Sequence, residues 1–538
     1  VRLNVTPIDW ILIFAGGQEE FMQAPKKSLL TLAAVAVSFL TTHAASSSET
    51  AASPFFTIKV VDDQTSRGVP LVELRTVHNV HYYTDSNGVV AFREPGLMDS
   101  QVWFYVSSHG YEYPKDGFSN AGVRLDVQPD GEAVIRIHRE NIAERLYRLT
   151  GGGIYRDSVL VGEPVPIRRP VLNGKVLGQD SVQRVLWRDA IRWFWGDTNF
   201  PRYPLGLFEM SGATSLPPDE GGLDPSEGVD YDYFVDEDGF SRAMCPLPGP
   251  GAVWLDGFLI VEDETGAERL VAHYARMKDL GTTLEHGIAV YDEKGDVFKK
   301  RKELDLDDRV RCPHGHPIRV GDDGDDYFLF PTPYATMRVR ADLEAILDPS
   351  RYEAFTCLEA GARFDKNAAK VVRDDEGQLV YEWKRNTDPI DIEREKALIE
   401  AGAIRPDDAR YHPRDVDSNT SITLHSGSIN WNEYRKKWIL IAVQIGGDSS
   451  FLGEVWFAEA DLPTGPWRWA KKIVTHDRYT FYNPVHHPFF DQDGGRLIYF
   501  EGTYANTFSG NPVPTPRYDY NQIMYRLDLS DLRLAPPK

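Results

Sequence analysis

From about residue 165 to the end of the chain one pattern returns five times: a turn, a strand rich in aliphatic and aromatic residues, a second such strand, and then polar sequence. The paired segments are R-V-L-W with I-R-W-F-W-G-D-T (184–198), W-L-D-G-F-L-I-V with R-L-V-A-H-Y-A-R (254–276) and H-P-I-R-V with Y-F-L-F-P-T (316–332). I-N-W-N with K-W-I-L-I-A-V-Q (429–444) and H-H-P-F-F with R-L-I-Y-F-E-G-T-Y (486–504) complete the series. A unit of this kind cannot bury its apolar face alone, and a period of roughly 50–70 residues is that of radially stacked sheets. The repeat therefore predicts an all-β chain in which residues 165–530 form a five-bladed β-propeller. One stretch, 359–415, interrupts the rhythm and contains a predicted helix, I-E-R-E-K-A-L-I-E-A-G (392–402).

Ahead of the repeat, residues 55–140 alternate short strands with turns such as Asp85-Ser86-Asn87-Gly88, which predicts a small β-sandwich. Its motifs V-x-D-x-x-T-x-x-G-V-P-L-V-E-L (60–74), T-D-S-N-G-V-V-A-F (84–92) and S-H-G-Y-E-Y (108–113) resemble the carboxypeptidase-regulatory, transthyretin-like domain. The resemblance implies an accessory module, so His78, His81 and His109 read as surface or core histidines. Gly151–Gly153 reads as a turn and not as a phosphate loop, because no Lys-Ser/Thr follows it.

Met22 to Ala44 has the basic start, apolar middle and small-residue end of a secretory signal, so a secreted or periplasmic protein is expected. Residues 1–21 then read as upstream sequence called as protein, and 45–54 as a polar linker. The apolar run is too short for a typical membrane span, so no integral span is expected in the mature protein. A formal net charge of −22 opposes nucleic acid as a partner. Cys245, Cys312 and Cys357 allow one bridge at most, Cys312–Cys357, or three buried thiols. No tight ligand spacing appears, and neither metal nor cofactor is expected. The acidic run 219–232 lacks EF-hand spacing and reads as a solvated loop.

In a propeller the inner-strand ends converge on the mouth of the channel. Candidates there are Asp180 and Asp197 from the first unit, His273 and Glu285 from the second, and His316 from the third. Asn430, Trp431 and Glu454 come from the fourth, and Asn483, His486 and Glu501 from the fifth. Asp180 and Asp197 stand at the two ends of one hairpin, which lie side by side. Paired carboxyls beside aromatic residues suit glycosidic bond cleavage, although an Asp at a strand end also serves simply as a turn residue.

The motifs W-F-W-G-D-T, G-Q-D-S (178–181) and A-D-L-P-T-G-P-W (460–467) resemble five-bladed propeller glycoside hydrolases, and most of all the endo-D-arabinanase type. The resemblance implies a secreted enzyme acting on a polysaccharide or oligosaccharide, with Asp180 and Asp197 as the catalytic carboxylates. Related propellers add a third acid, for which Glu285 and Glu454 are the candidates. Arg202, Tyr203, His316, Asn483, His486 and Glu501 are expected to contact the sugar, and Trp431 and Tyr504 to stack on it. Two other readings stay open: a polysaccharide lyase using His316, His486 or Tyr482, and a noncatalytic glycan-binding propeller.

Overall fold

The computed structural model describes residues 53–207, 209–279 and 281–536; the expected leader at 22–44 and the segment 1–21 lie outside them. Nearly every described element is a β-strand. Two four-stranded sheets built from residues 56–139 enclose one apolar core that includes Ile58, Val60, Leu74, Phe92, Phe104 and Ile135. Alternation of buried and partly exposed side chains in Ser100–Ser107 is that of a half-buried strand, while Phe56–Asp62 alternates only in its first half and ends fully buried. Gly88 closes the predicted turn with φ +76°, and a Cβ there would stand 2.4 Å from the Val60 carbonyl oxygen, so only glycine fits.

After this sandwich come five mainly antiparallel sheets of four or five strands, each opening on one of the predicted hairpins, and a small three-stranded sheet formed by Gly178–Gln179, Thr198–Phe200 and Tyr203–Leu207. The first holds Gln183–Trp187, Ala190–Trp195, Ser211–Ser215 and Asp232–Tyr233. The second begins with Ala252–Glu262 and Glu268–Asp279, the third with Ile318–Asp322 and Asp325–Pro331. The fourth begins with Leu424–Asn432 and Lys437–Gln444, and the fifth with Thr480–His486 and Leu497–Ala505. The sequence segment H-H-P-F-F is the end of the fifth inner strand followed by a 3-10 turn at Pro488–Phe490, not a strand itself, because Pro488 cannot donate to a ladder.

The apolar cores lie between the sheets. Trp187, Phe194 and Met244 pack with Val253, Phe258 and Tyr274 between the first sheet and the second. Val271 and Ile288 meet Phe330 and Val339 across the next gap, and Leu329 meets Leu440 and Trp456 across the one after. Ile441 and Phe457 meet Phe500 and Tyr525, and Tyr499 and Met524 return to Trp193 and Trp195. Five cores joining five sheets head to tail make a closed ring, the propeller predicted from the repeat.

The ring begins earlier than residue 165. Glu144–Arg148 is the outermost strand of the fifth sheet, pairing antiparallel with Asn521–Asp528 in the register Ile523↔Arg148. A fully buried Arg145 on that strand reaches back into the sandwich, donating to the carbonyls of Pro70 at 3.0 Å and His109 at 3.1 Å. The segment 359–415 is partly helical as predicted, with Asp391 capping Ile392–Glu400 through the Arg394 amide. It also extends two sheets: Glu382–Arg385 edges the third and Arg414–Asp415 the fourth. No helix among the described residues is long and apolar enough to cross a membrane.

Candidate active site

Asp180 follows the short strand Gly178–Gln179, which pairs with Thr198–Phe200 just beyond Asp197. The two aspartates thereby face each other where the first hairpin ends. Their backbones exchange contacts: the Gly196 amide donates to the Asp180 carbonyl at 2.9 Å, and the Asp180 amide to the Asp197 carbonyl at 3.3 Å. The Asp180 Oδ1 accepts from the Asp197 amide at 3.1 Å and nestles over Gly196, where a Cβ would stand 2.1 Å from it. The glycine of W-F-W-G-D-T is thus what lets the carboxyl lie against the backbone.

Other sheets complete the setting. Tyr482 of the fifth sheet donates to the Asp180 Oδ2 at 3.1 Å, and Tyr520 adds a second phenol donor. Trp254 of the second sheet donates its indole N–H to the Asp197 Oδ1 at 3.0 Å. Burial pushes the Asp180 carboxyl up to about 6 against the pull of these donors. Burial and then the charge of Asp180 push Asp197 further, to about 8, with Trp254 opposing. Both groups therefore exchange protons in the neutral range, as an interacting pair. Asp180 is the deeper of the two, and Asp197 keeps more water-accessible surface.

Asn483 belongs to this site. It has φ +48° at the irregularity between Tyr482 and Val485, donates to the Ser181 Oγ at 2.7 Å and accepts from Ser426 at 2.8 Å. Such an irregularity re-aims a side chain, here toward the residue after Asp180. Asp256, which the sequence reading passed over, lies two residues from Trp254 on the same face of its strand. Gln183, Gly257 and Gly315 donate to its carboxylate at 2.8–3.0 Å, and burial nevertheless lifts it to about 6.

Several expected residues are elsewhere. Glu285 is gripped by Arg276 and by Lys300 at 2.7 Å; burial would raise its carboxyl, but Lys300, Tyr274 and Arg276 outweigh it and hold it at about 2. Such a group keeps its charge and cannot supply a proton at neutral pH. Glu454 is buried with one oxygen on Lys472 at 2.8 Å and the other on Ser449. Trp431 is near the far end of its strand: Ser426 reaches the site, whereas Asn432 bonds the Gly495 carbonyl at the other end. Tyr504 is a core residue, stacked on Tyr479 at 4.1 Å and bonded to His109 of the sandwich at 2.9 Å.

Glu501 is fully buried and hydrogen-bonded to His487 at 2.9 Å, and His486 is fully buried between Asp491 and Asn430. His316 is buried too; desolvation and then the Arg184 guanidinium hold it well below the usual histidine range. Glu501 and His486 offer no surface to a sugar, while His316, 8% exposed, is about as open as Asp180 at 9%. Arg202 is exposed and lies 4.0 Å over the Phe240 ring, while the Tyr203 side chain lies outside what the structure describes. The three cysteines are buried free thiols in separate cores, so the 312–357 bridge is not formed. One group the spacing concealed is His273, His286 and Cys312, whose ligating atoms lie within 4.8 Å of one another.

No family model matches the chain. No curated protein matches it either. Among solved structures it is similar to an α-L-arabinanase from Penicillium chrysogenum, at 12% identity and TM-score 0.33 over 72% of this chain and 99% of that one. An exo-β-1,3-galactanase from Phanerochaete chrysosporium aligns at 10% identity and TM-score 0.36, over 71% of this chain and 65% of the other. An N-acetylgalactosamine deacetylase from F. plautii aligns at 11% identity and TM-score 0.34, over 72% and 95%. These likenesses are too distant to carry chemistry from one chain to another.

Proposed function

We propose that the protein hydrolyses glycosidic bonds, with Asp197 as the proton donor and Asp180 as its ionised partner. The observation that carries this reading is the juxtaposition of the two acids, with the Asp197 amide on the Asp180 Oδ1 at 3.1 Å, Tyr482 on its Oδ2 and Trp254 on Asp197, in a setting whose burial raises both carboxyls above their ordinary range. A pair split in this way holds one proton between pH values where both would normally be charged, which provides an acid and a base at once. Asp197 is the more open of the two, so its proton is the one within reach of a leaving oxygen. Asp180 has three donors on its oxygens, from Tyr482, Tyr520 and the Asp197 amide. A carboxylate offers about four lone-pair positions, which leaves room for a water or a sugar carbon to approach.

The lyase reading is the weaker one. It needs an unengaged base, whereas Tyr482 spends its hydroxyl proton on Asp180 and is held well above the usual phenol range by burial and by that carboxylate. His486 is fully buried and bonded to Asp491 and Asn430, whereas His316, about as open as Asp180, is the base this reading keeps. A noncatalytic glycan binder would have no use for two adjacent carboxyls that resist ionisation, since each costs stability.

An arabinan is the first substrate to try, on the likeness of W-F-W-G-D-T and A-D-L-P-T-G-P-W to the endo-D-arabinanase type, in an exported five-bladed enzyme. The deciding experiment incubates wild type and Asp197→Asn with a panel of polysaccharides, scoring reducing ends and binding separately. Product from wild type with binding but no product from the variant supports hydrolysis. Unsaturated product, or full activity in Asp197→Asn, would overturn it.

A further inference from the structure

Between the second and third sheets, three soft or borderline ligands point at one another. His273 lies on Glu268–Asp279 and His286 on Thr282–Asp292. His286 pairs with Ala275 across the ladder, so it shares a sheet face with His273, two residues from Ala275. The connection from the second sheet to the third then folds back and brings Cys312 against both rings. The His273 Nε2 and His286 Nδ1 are 3.0 Å apart, and all three ligating atoms fall within 4.8 Å.

A tetrahedral zinc site, with bonds of about 2.0–2.3 Å, spaces its ligand atoms at roughly 3.3–3.8 Å, so this group needs little rearrangement. The second shell is also in place. The other nitrogen of His286, Nε2, meets the Asp305 carbonyl at 2.7 Å, an arrangement that puts the proton there and turns the Nδ1 lone pair into the cluster. Negative charge surrounds the sulfur from Asp256 and Asp308, and the Asp308 Oδ1 is a buried oxygen with no hydrogen-bond partner among the described residues. His286 and Cys312 are buried, whereas His273 retains water-accessible surface and gives an ion its way in.

We infer that His273, His286 and Cys312 form a binding site for a zinc-class divalent ion that staples the 304–317 connection to the second sheet. Two imidazoles and a thiolate suit zinc and its neighbours and offer nothing to calcium or magnesium, which take oxygen ligands. Binding replaces the thiol proton, which leaves to solvent, and leaves the fourth position for water. The stapled connection carries Gly315, whose amide holds Asp256 at 3.0 Å, and Gly257 lies so close to it that a Cβ would stand 2.4 Å from the His314 amide. The ion thus braces the connection that holds Asp256.

The test is cobalt substitution in the full-length protein. After chelation and desalting, Co(II) is added while the thiolate-to-cobalt charge-transfer band is followed, with circular dichroism to verify the fold. One equivalent should give the band, Zn(II) should abolish it and Ca(II) should leave it unchanged. Cys312→Ala should lose the band, and Cys245→Ser should keep it. His273→Gln, at a partly exposed position that tolerates change better, should weaken Co(II) binding at least about tenfold. A folded wild type without the band overturns the inference, as does a band that survives Cys312→Ala or an affinity unmoved in His273→Gln.

Discussion

Asp197 donates its backbone N–H to the carboxylate of Asp180 while its own carboxylate accepts from Trp254. The same residue thus stabilises the charge on its partner and is discouraged by that charge from ionising. This coupling is why the two groups titrate apart, and it sets the directions of the expected pH effects.

On the proposed substrate, kcat/KM should follow a bell, falling below about 6 as Asp180 gains its proton and above about 8 as Asp197 loses its own. Trp254→Phe removes a donor that favours the ionised Asp197, so the basic limb should move to higher pH. Tyr482→Phe removes a donor to Asp180 and should move the acid limb upward. A pH–rate series on the three proteins checks both, and limbs that stay fixed in the variants would sink the assignment.

Asp180→Asn and Asp197→Asn should each lower the rate by about 10²–10⁴-fold, the usual share of a positioned acid or base. Substrate affinity, read by calorimetry on the variants, should change far less than the rate.

The pair should also leave its mark on stability. Both carboxyls have folded-state values raised above their ordinary 3.8, so the folded state holds their protons more tightly than the unfolded chain. Their contribution is full below the unfolded value and is lost as pH rises through about 6 and then about 8. Asp197→Asn should therefore raise Tm relative to wild type at pH values above that range and do little in acid. Thermal melts across the range measure it; equal Tm differences at all pH values would contradict the burial argument.

Gly196→Ala should be damaging at a position that looks innocuous. The new methyl would stand 2.1 Å from the Asp180 Oδ1, and Asp180 is fixed by other donors, so the hairpin end has to open. Activity should fall as far as in Asp180→Asn while the fold, followed by circular dichroism, persists.

Arg145→Leu tests the junction of sandwich and ring. It leaves the carbonyls of Pro70 and His109 without their buried donor, at about 1–3 kcal/mol per group. A lower midpoint in urea and earlier proteolysis near residues 139–143 are expected.

Much of the ring was legible because five apolar hairpins recur with a period that only stacked sheets satisfy. The Asp180–Asp197 pair was legible for a local reason: hairpin ends must meet. What could not be read were relations between sheets. Alternation places Trp431 on a strand face but does not tell which end of the strand opens on the site. Tyr504 and Glu501 have the spacing of channel residues, yet their partners are His109 of the sandwich and His487. Tyr482, Tyr520 and Trp254 reach the pair from distant segments, with no local motif to announce them. Asp256 did leave a trace, an Asp two residues after a Trp on a predicted inner strand, because strand neighbours of that spacing share a face.

The outermost strand of the fifth sheet, Glu144–Arg148, is translated long before its partner Asn521–Asp528. During synthesis the sandwich can complete itself, but the circle has to stay open until Asn521–Asp528 has been made. A chain cut short before residue 521 would carry an unpaired strand edge at each end of an unjoined arc, and such edges recruit other chains. Correct assembly is thus decided at Asn521–Asp528, where a few residues determine whether the arc closes on itself or on a neighbour.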